Sequence, residues 1–332
     1  MKHTDFYIPT APGSWTGRVD SEKQRELMRW HQAVRTVDLT QEEIPKLGPG
    51  QKGVALIGYK CQEGVRRNKG RLGAINGPDA LRKVASSFPV HFPEDAILLD
   101  LGNVICQNND LEICQNTLAE ICAEALAKGY FPAVIGGGHD IAYGHFLGLR
   151  KNFPNESVGI INFDAHFDLR EPDKEFGTSS GTPFLQIAHD EQKQGRILNY
   201  MCLGIQKNGN TRKLFDTADE LGVKYIEGKD FHAQNATEVS EKIQRFIDSV
   251  QHVYLTTCLD AFASAFAPGV SATAYSGIIP DTFYRQTLDK ILTSEKLRSM
   301  DIAELNPEFD QDNRTAKLAG SILFDYVDRR LS

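Results

Sequence analysis

Long hydrophobic runs are missing from this 332-residue sequence. No apolar stretch approaches the roughly 18 residues that a membrane-spanning helix needs, so we expect no membrane partner. The N-terminal segment, MKHTDFYIPTAPGSW, lacks the apolar core of a secretory signal. Together these two absences predict a cytoplasmic protein.

Basic residues are fewer than acidic ones. The chain has 37 Lys and Arg against 44 Asp and Glu, which gives a formal net charge of −7. From that balance we expect no broad basic surface and no nucleic-acid partner. With 41% hydrophobic and 24% charged residues, the composition is that of a globular protein and not of a disordered, collagen-like or coiled-coil chain.

Cysteine is sparse, and no two cysteines form a CxxC pair, which argues against a zinc ribbon or a thioredoxin-type redox motif. We interpret five of the six as reduced thiols scattered through the chain. Cys258 is different because it ends an apolar run beside another potential metal ligand. The six residues are Cys61, Cys106, Cys114, Cys122, Cys202 and Cys258.

Apolar runs of strand length alternate with longer amphipathic stretches after residue 53. The runs cover 54–59, 96–102, 130–137, 158–164, 197–205, 223–227, 253–260 and 299–305. The stretches that favour helices cover 78–87, 111–129, 140–151, 211–221, 237–250, 281–294 and 312–330. Mostly continuous apolar strands separated by helices predict an α/β protein whose parallel sheet is covered on both faces.

The length allows either two average domains or one large α/β domain. The sequence has no internal repeat, no low-complexity tract and no convincing linker. We therefore predict one domain over residues 1–332, with residues 1–50 as an N-terminal extension packed on it. One helix is expected within that extension, near residues 20–35.

The strongest chemical motif is the alternating run Asp164, His166 and Asp168 at the end of the apolar run 158–164. In an extended chain, residues two apart point the same way, so these three side chains can face one spot. That spot lies beyond the carboxyl end of a strand, where open α/β sheets place their ligands. Two carboxylates and an imidazole suit a divalent cation. Solvated loop residues that merely alternate are the other interpretation of this motif.

Two more strand ends carry residues of the same kind. His139 follows three glycines after the run 130–137, and Cys258 and Asp260 share one face at the end of the run 253–260. Ligand-type side chains at three strand ends are hard to explain by coincidence. Six potential ligands suit two metal ions about 3.5–4 Å apart, a pair that can share a hydroxide and deliver it to an electrophilic carbon.

Five segments, in the same order, closely resemble the ureohydrolase superfamily, which contains arginase and agmatinase. They are residues 63–83, 136–145, 162–170, 179–184 and 258–272, within a resemblance that covers roughly residues 50–330. The resemblance implies a three-layer α/β/α arginase-like fold with a parallel, about eight-stranded sheet. It also implies two divalent metal ions, taken to be Mn(II), and a homo-oligomer, often a trimer or a hexamer.

Carried over by position, the resemblance implies the metal ligands. His139, Asp164 and Asp168 would bind one ion. His166 and Asp260 would bind the other, with Asp164 bridging the two. Cys258 departs from the family, which usually has a second bridging aspartate there. Its thiolate could be a ligand, its neutral thiol could be only a neighbour, or the exchange could weaken one metal, because thiolate is softer than carboxylate.

The substrate residues are expected on basic and hydroxyl-rich segments. Arg67, Arg71 and Arg170 could clamp a dicarboxylate, because a guanidinium binds carboxylate in a bidentate way. Ser180 and Thr182 offer small donors in a substrate loop. A solvated basic loop and a plain turn are the corresponding structural interpretations.

Within the superfamily the match is closest to the branch that hydrolyses N-formimidoyl-L-glutamate to L-glutamate and formamide. That reaction predicts a small anionic amidine as substrate. Asp168 would orient or accept a proton of the attacking hydroxide, and Glu304 would hold the imino nitrogen. The alternatives are another amidine or guanidino-acid hydrolase of the superfamily, or a metal-poor, non-catalytic binding protein on the same fold.

Overall fold

The computed structural model describes residues 4–332, and within that range all ten strands belong to one sheet. The strands are β1 (Tyr7–Ile8), β2 (Arg35–Thr36), β3 (Gly53–Lys60), β4 (Ile97–Ile105), β5 (Phe131–Gly136), β6 (Val158–Phe163), β7 (Asn199–Ile205), β8 (Lys224–Glu227), β9 (His252–Cys258) and β10 (Leu297–Ala303). Their order in the sheet is β1-β4-β3-β5-β10-β9-β6-β7-β8, and β2 pairs with β4 outside this path. Every pair is parallel except β1 with β4.

All eight predicted strands are present, and the predicted parallel α/β architecture is confirmed. The two additional strands, β1 and β2, are two residues long and come from the N-terminal extension. Every residue of β6 and β9 is buried, as expected for strands covered on both faces.

Helices follow most strands and form the two outer layers. In β3, Leu56 packs with one apolar cluster, and its neighbours Ala55 and Ile57 pack with another, so the two clusters lie on opposite faces. The helices are α1 (Trp30–Ala33), α2 (Glu63–Arg67), α3 (Gly77–Ala85), α4 (Leu111–Ala127), α5 (Ile141–Asn152), α6 (Pro183–Lys193), α7 (Arg212–Glu220), α8 (Ala236–Asp248), α9 (Thr282–Leu292) and α10 (Arg314–Leu331).

The seven predicted helices correspond to α3, α4, α5 and α7–α10. The sequence interpretation missed α2 and α6. The sequence pattern does not predict α6, because this helix begins directly after Thr182 of the predicted substrate loop, with Pro183 in its first turn. Among residues 4–332, no helix combines the length and the apolar character needed to cross a bilayer.

The helix predicted near residues 20–35 is wrong. Only the four residues of α1 are α-helical there, and a short 3-10 turn covers Arg25–Leu27. Contacts with the rest of the chain hold this segment instead. The backbone N–H of Trp30 donates to the carbonyl of Phe88 at 2.8 Å, and the Trp30 indole packs between Phe88 and Phe324. Trp30 therefore contacts the helical layer, while the single domain over 1–332 and the packing of residues 1–50 on it stay predictions.

A buried ion pair joins three parts of the fold. Arg82 on α3 donates from Nε and Nη2 to the two carboxylate oxygens of Asp100 on β4, at 2.8 and 2.9 Å. Trp15 of the extension donates to the same carboxylate at 2.7 Å, and Asn103 accepts from Arg82 Nη1 at 2.6 Å. Both members of the pair are at most 1% exposed.

Removing one member of this pair leaves an uncompensated buried charge. We expect Asp100→Ala to lower the free energy of unfolding by about 3–5 kcal/mol, measured by urea denaturation. The double variant Arg82→Met with Asp100→Leu should recover much of that loss, because it buries no charge. As a control, Glu238→Gln breaks the exposed Glu238–Lys242 pair on α8 and should leave the midpoint unchanged. An equally small effect of Asp100→Ala would contradict a structural role for the pair.

Candidate metal centre and active site

Four neighbouring strands end at the candidate site. β5, β10, β9 and β6 lie side by side in that order and run parallel, so their carboxyl ends meet at one edge of the sheet. The predicted ligands lie at these ends or on the segments that leave them. They are His139 after β5, Asp164, His166 and Asp168 after β6, and Cys258 and Asp260 at the end of β9. Glu304, predicted to hold the substrate's imino nitrogen, follows β10.

The donor atoms of these residues form two groups that share Asp164. One group contains His139, Asp164 and Cys258, and the other contains Asp164, His166 and Asp260. Within each group the ligand atoms lie within 4.8 Å of one another. Asp168 is not a member of either group, but its Oδ2 lies 2.9 Å from His139 Nδ1. The arrangement can hold two cations that share one carboxylate.

Individual contacts tie the groups together. His139 Nδ1 lies 3.0 Å from Asp164 Oδ2, and His166 Nδ1 lies 3.1 Å from Asp260 Oδ2. The backbone N–H of His166 donates to Asp164 Oδ1 at 2.7 Å. Asn162 donates to the other Asp164 oxygen at 2.9 Å. Both oxygens of the shared carboxylate are therefore held in place.

The glycines before His139 let the backbone of this loop pack directly against the backbone that follows β3, which a residue with a side chain would prevent. A Cβ on Gly137 would lie 1.8 Å from the backbone oxygen of Cys61. The amides of Gly137 and Gly138 donate to the carbonyls of Tyr59 and Cys61 at 2.9 and 3.1 Å. This packing fixes the turn that points the His139 ring into the site.

The two predicted catalytic residues have unusual backbone conformations. Asp168 has φ 48° and Glu304 has φ 69°, both in the left-handed region that non-glycine residues seldom adopt. The Glu304 backbone N–H donates to the carbonyl of Gly137, and its Oε1 accepts from the backbone of His139 at 3.1 Å. Strained backbone of this kind concentrates at functional sites.

Electrostatic crowding at the site is strong. Burial and the Asp164 charge raise the pKa of Asp168 to about 6, and burial raises the pKa of Glu304 to about 7. Burial and the Asp164 charge also raise the pKa of Asp260. Burial opposes protonation of His166, but the nearby carboxylates of Asp260 and Asp164 raise its pKa to about 12. Without a divalent cation, the histidines therefore supply the positive charge that the buried carboxylates favour.

Cys258 is buried, with 1% of its surface exposed. Burial, followed by the charges of Asp164 and Asp260, raises the pKa of its thiol well above the ordinary value. The sulfur of Cys258 lies among the ligand atoms of the first group, and a bound cation would favour its thiolate. The three interpretations of Cys258 therefore stay predictions.

A second layer of polar residues orients His139, and the sequence interpretation missed it. His139 Nε2 lies 3.0 Å from Thr256 Oγ1, and this hydroxyl donates to Asp301 Oδ1 at 2.5 Å. His145 and Tyr254 contact the other Asp301 oxygen. Because the Thr256 hydroxyl donates to Asp301, it accepts from His139 Nε2–H and leaves Nδ1 to face the carboxylates.

A signal for part of this layer was present in the sequence. Asn162 precedes Asp164 by two residues, and Thr256 precedes Cys258 by two residues, so each shares the strand face of a predicted ligand. Extending the two-residue period backwards along each strand would have found both. Asp301 and His145 lie on other elements, and the same period does not connect them to the site.

Comparison with known proteins identifies the family. The arginase family model matches residues 52–327. A formimidoylglutamase from Clostridium tetani is 40% identical, over 97% of this chain and 96% of its own length. The chain belongs to the arginase family.

Solved structures show the same arginase-family fold. The formimidoylglutamase from Bacillus subtilis superposes with a TM-score of 0.78 at 18% identity, covering 95% of each chain. Trypanosoma cruzi formiminoglutamase, crystallised with Mn²⁺₂, superposes with a TM-score of 0.72 at 24% identity, covering 83% of this chain and 92% of that one. The three-layer α/β/α fold predicted from the sequence is confirmed.

The three arginines predicted to bind substrate differ in how many hydrogen bonds their guanidinium groups already make within this arginase-family chain. Arg67 is fully engaged, because its three guanidinium nitrogens donate to Glu63, Glu112 and the backbone oxygens of residues 109 and 178. Arg71 donates to the carbonyls of residues 270 and 271. Arg170 is exposed, and none of the described residues accepts a hydrogen bond from its guanidinium. The substrate roles of all three stay predictions.

Arg170, two residues after Asp168 in the sequence, lines a pocket of about 430 Å³. Lys69 and Lys213 also line it, as do the acidic residues Glu171 and Asp173. The backbone amides of residues 175 and 176 donate to the Asp173 carboxylate at 2.8 and 3.1 Å, which leaves less of that charge to oppose an anion. The cations on the wall make this pocket suitable for an anionic ligand.

The predicted hydroxyl donors are buried in a turn. Ser180 is 5% exposed, and its hydroxyl accepts from Asn68 at 3.3 Å. Thr182 is 1% exposed, and its Oγ1 donates to Ser179 O at 3.0 Å and accepts from Ser179 N at 2.9 Å. The hydroxyl of Thr182 therefore stabilises the turn that begins α6, and its substrate role stays a prediction.

Thr256→Val tests the layer behind His139. The variant removes the hydroxyl that accepts from His139 Nε2, so we expect divalent-cation affinity to fall about 10- to 100-fold. Isothermal titration with Mn²⁺ measures this change. Thr257→Val is a matched control, because Thr257 is also buried and its hydroxyl has no partner among the described residues. Equal losses in both variants would contradict a specific role for Thr256, and Thr256→Ser should retain the affinity.

Proposed function

We propose that this chain hydrolyses N-formimidoyl-L-glutamate to L-glutamate and formamide with two Mn²⁺ ions. One observation carries the proposal: the chain combines a group of buried His and carboxylate donors with a cation-rich pocket lined by the unpaired Arg170, which follows Asp168 by two residues. A dicarboxylate amidine suits both features, because the donors can hold cations that polarise an amidine and the pocket wall carries cations for carboxylates. The relatives named formimidoylglutamase, at about 40% identity over nearly the whole chain, support the same substrate.

The residues present fit a pair of Mn²⁺ ions. Carboxylate and imidazole are ligands that suit this cation, and Asp260 Oδ1 is buried without a hydrogen-bond partner among the described residues. His139, Asp164 and Asp168 would hold one ion. His166 and Asp260 would hold the other, with Asp164 shared. When bound, the ions supply Lewis-acid polarisation and a water nucleophile that is acidic near neutral pH.

In the proposed reaction, Asp168 transfers the proton and Glu304 orients the substrate. A water oxygen attacks the formimidoyl carbon while the Asp168 carboxylate accepts the proton, a task that suits a base whose pKa is about 6. Glu304 Oε2 is buried without a partner among the described residues, so it can accept a hydrogen bond from the substrate's imino nitrogen. The bond from that carbon to the glutamate nitrogen then breaks, and the leaving amine takes the proton from Asp168.

Two alternatives to this proposal differ from it in metal binding at Cys258 or in substrate preference. If the neutral thiol leaves the second ion weakly held, the chain is a metal-poor binding protein on the arginase fold. Another amidine or guanidino-acid hydrolase would share the metal centre but not the preference for a dicarboxylate. Metal content, a substrate panel and the variant Cys258→Asp distinguish these three possibilities.

The central test is product release from N-formimidoyl-L-glutamate by Mn²⁺-loaded protein. We expect glutamate and formamide in equal amounts, activity that is lost with a chelator and restored by Mn²⁺, and little turnover of arginine or agmatine. Glu304→Gln should lower kcat about 100-fold or more. Glu308→Gln changes an exposed carboxylate four residues away and should leave kcat unchanged.

Two results would overturn the proposal. A parent protein that is inactive with every metal, together with a Cys258→Asp variant that binds metal tightly and gains activity, would favour the binding protein. Faster turnover of a monocarboxylate guanidino acid than of formimidoylglutamate would favour the other hydrolase.

Arg170 is the proposed carboxylate anchor. We expect Arg170→Gln to raise KM for formimidoylglutamate about 10- to 100-fold, because a hydrogen bond to a charged group is worth about 1.5–3 kcal/mol. Thermal stability should not change, since Arg170 is exposed and unpaired. Arg212→Gln, another exposed arginine without a partner among the described residues, should leave KM unchanged. An unchanged KM in Arg170→Gln would transfer the role to Lys69 or Arg71.

We also propose a cytoplasmic homo-oligomer, a trimer or a hexamer, without a nucleic-acid partner. All six cysteines are free thiols, which supports a reducing compartment. Tyr275 and Ile279 are 89% and 57% exposed, and such apolar side chains are available for subunit contacts. Light scattering of the purified protein measures the subunit number.

A further inference from the structure

A second group of potential ligands lies at the same edge of the sheet, outside the candidate metal centre. Cys61 directly follows β3, Cys106 directly follows β4, and Cys114 lies in the first turns of α4. β3 and β4 are neighbours, so their carboxyl ends bring the three thiols together. Their sulfur atoms all lie within 4.8 Å of one another.

The three thiols are free and unequally exposed. None forms a disulfide in the structure. Cys61 and Cys114 are completely buried, whereas Cys106 is partly exposed. A small ion can therefore reach the group from the side of Cys106.

Burial raises the pKa of Cys61 to about 12 and that of Cys114 well above its ordinary value, so the surroundings favour a sulfur anion only at Cys106. Hydrogen bonds from the Cys114 and Cys61 thiols lower the pKa of Cys106 to about 5. The guanidinium of Arg66 is close enough to interact with the Cys106 charge. Cys114 also lies near the N-terminal end of the 17-residue helix α4, where the helix dipole stabilises negative charge. The cation-free group is one thiolate with two thiols donating to it.

We propose that Cys61, Cys106 and Cys114 form a binding site for a soft monovalent cation, Cu(I). Binding forms three copper–sulfur bonds and releases the protons of the two buried thiols to solvent, with no change of oxidation state. Thiolate sulfur selects Cu(I) over the hard cations that suit carboxylates. The site is therefore chemically separate from the carboxylate and imidazole centre at β6 and β9.

The number of donors favours Cu(I) over zinc. Structural zinc sites have four ligands, and within residues 4–332 this group offers three. The nearby carboxylate Asp140 does not belong to the group, and its Oδ2 accepts from Tyr59 at 2.7 Å. Three sulfurs that surround one point match a trigonal ion without a further protein ligand.

The test is copper binding to the Mn²⁺-loaded enzyme without oxygen. Cu(I), supplied as its acetonitrile complex, competes between the protein and a chromogenic Cu(I) chelator. We expect one copper per chain and an X-ray absorption spectrum with three sulfur neighbours. Cys106→Ser should remove this copper, and it changes the most exposed thiol, so the fold is least affected. Binding is read without activity, so failure here is distinguishable from failure of the proposed hydrolase.

Two control variants locate the copper. Cys122→Ser changes another buried cysteine of the same helix and should keep one copper per chain. Cys258→Ala should also keep it, because that thiol belongs to the other centre. Copper that persists in Cys106→Ser, or that disappears in Cys258→Ala, would overturn the proposal. So would a loss of titratable thiols without bound copper, which would show that the cysteines had oxidised to a disulfide.

Discussion

Four carboxylates concentrated at one edge of a parallel sheet are the constraint on which the site depends. Asp164, Asp168, Asp260 and Glu304 are brought together because β5, β10, β9 and β6 are adjacent and parallel. Burial, followed by the charges of neighbouring carboxylates, disfavours ionisation and raises the pKa of three of them. Only Asp164, between two histidines, has a lowered pKa. The fold tolerates this arrangement because the histidines supply positive charge wherever divalent cations do not.

The surrounding residues hold these carboxylates and the His139 ring in position, and part of the backbone at the site is strained as a result. Gly137 lets the loop before His139 pack on the backbone of Cys61, and Thr256 with Asp301 fixes the ring of His139 from behind. Asp168 and Glu304 adopt left-handed backbone conformations that cost roughly 1–3 kcal/mol each. Buried strands on both sides provide the rigidity that keeps these residues in position. The packing of the buried strands thus offsets the backbone strain of Asp168 and Glu304 at the edge of the sheet.

The sheet could be predicted from the sequence because its strands obey a short-range rule, and continuous apolar runs indicated all eight long strands. The two-residue period is a weaker guide to the predicted ligands Asp164, His166 and Asp168, because they follow the end of β6 and Asp168 has a left-handed backbone. The helix predicted near residues 20–35 failed because long-range contacts, such as Trp30 with Phe88 and Phe324, decide the structure of that segment. Local pattern carries no information about such partners. The same limit hid the contact between Thr256 and Asp301, which joins two strands.

The predicted substrate arginines show the same limit of local sequence patterns. In the sequence, Arg67, Arg71 and Arg170 are equivalent, since each is a cation near a predicted motif. In the structure, the first two already donate to protein oxygens, so binding a substrate carboxylate would require them to exchange existing partners. Arg170 has no such partner and loses only hydration when it binds an anion. A cation that the fold leaves unpaired beside a metal centre is therefore better suited to recognise a substrate than one that the fold already uses.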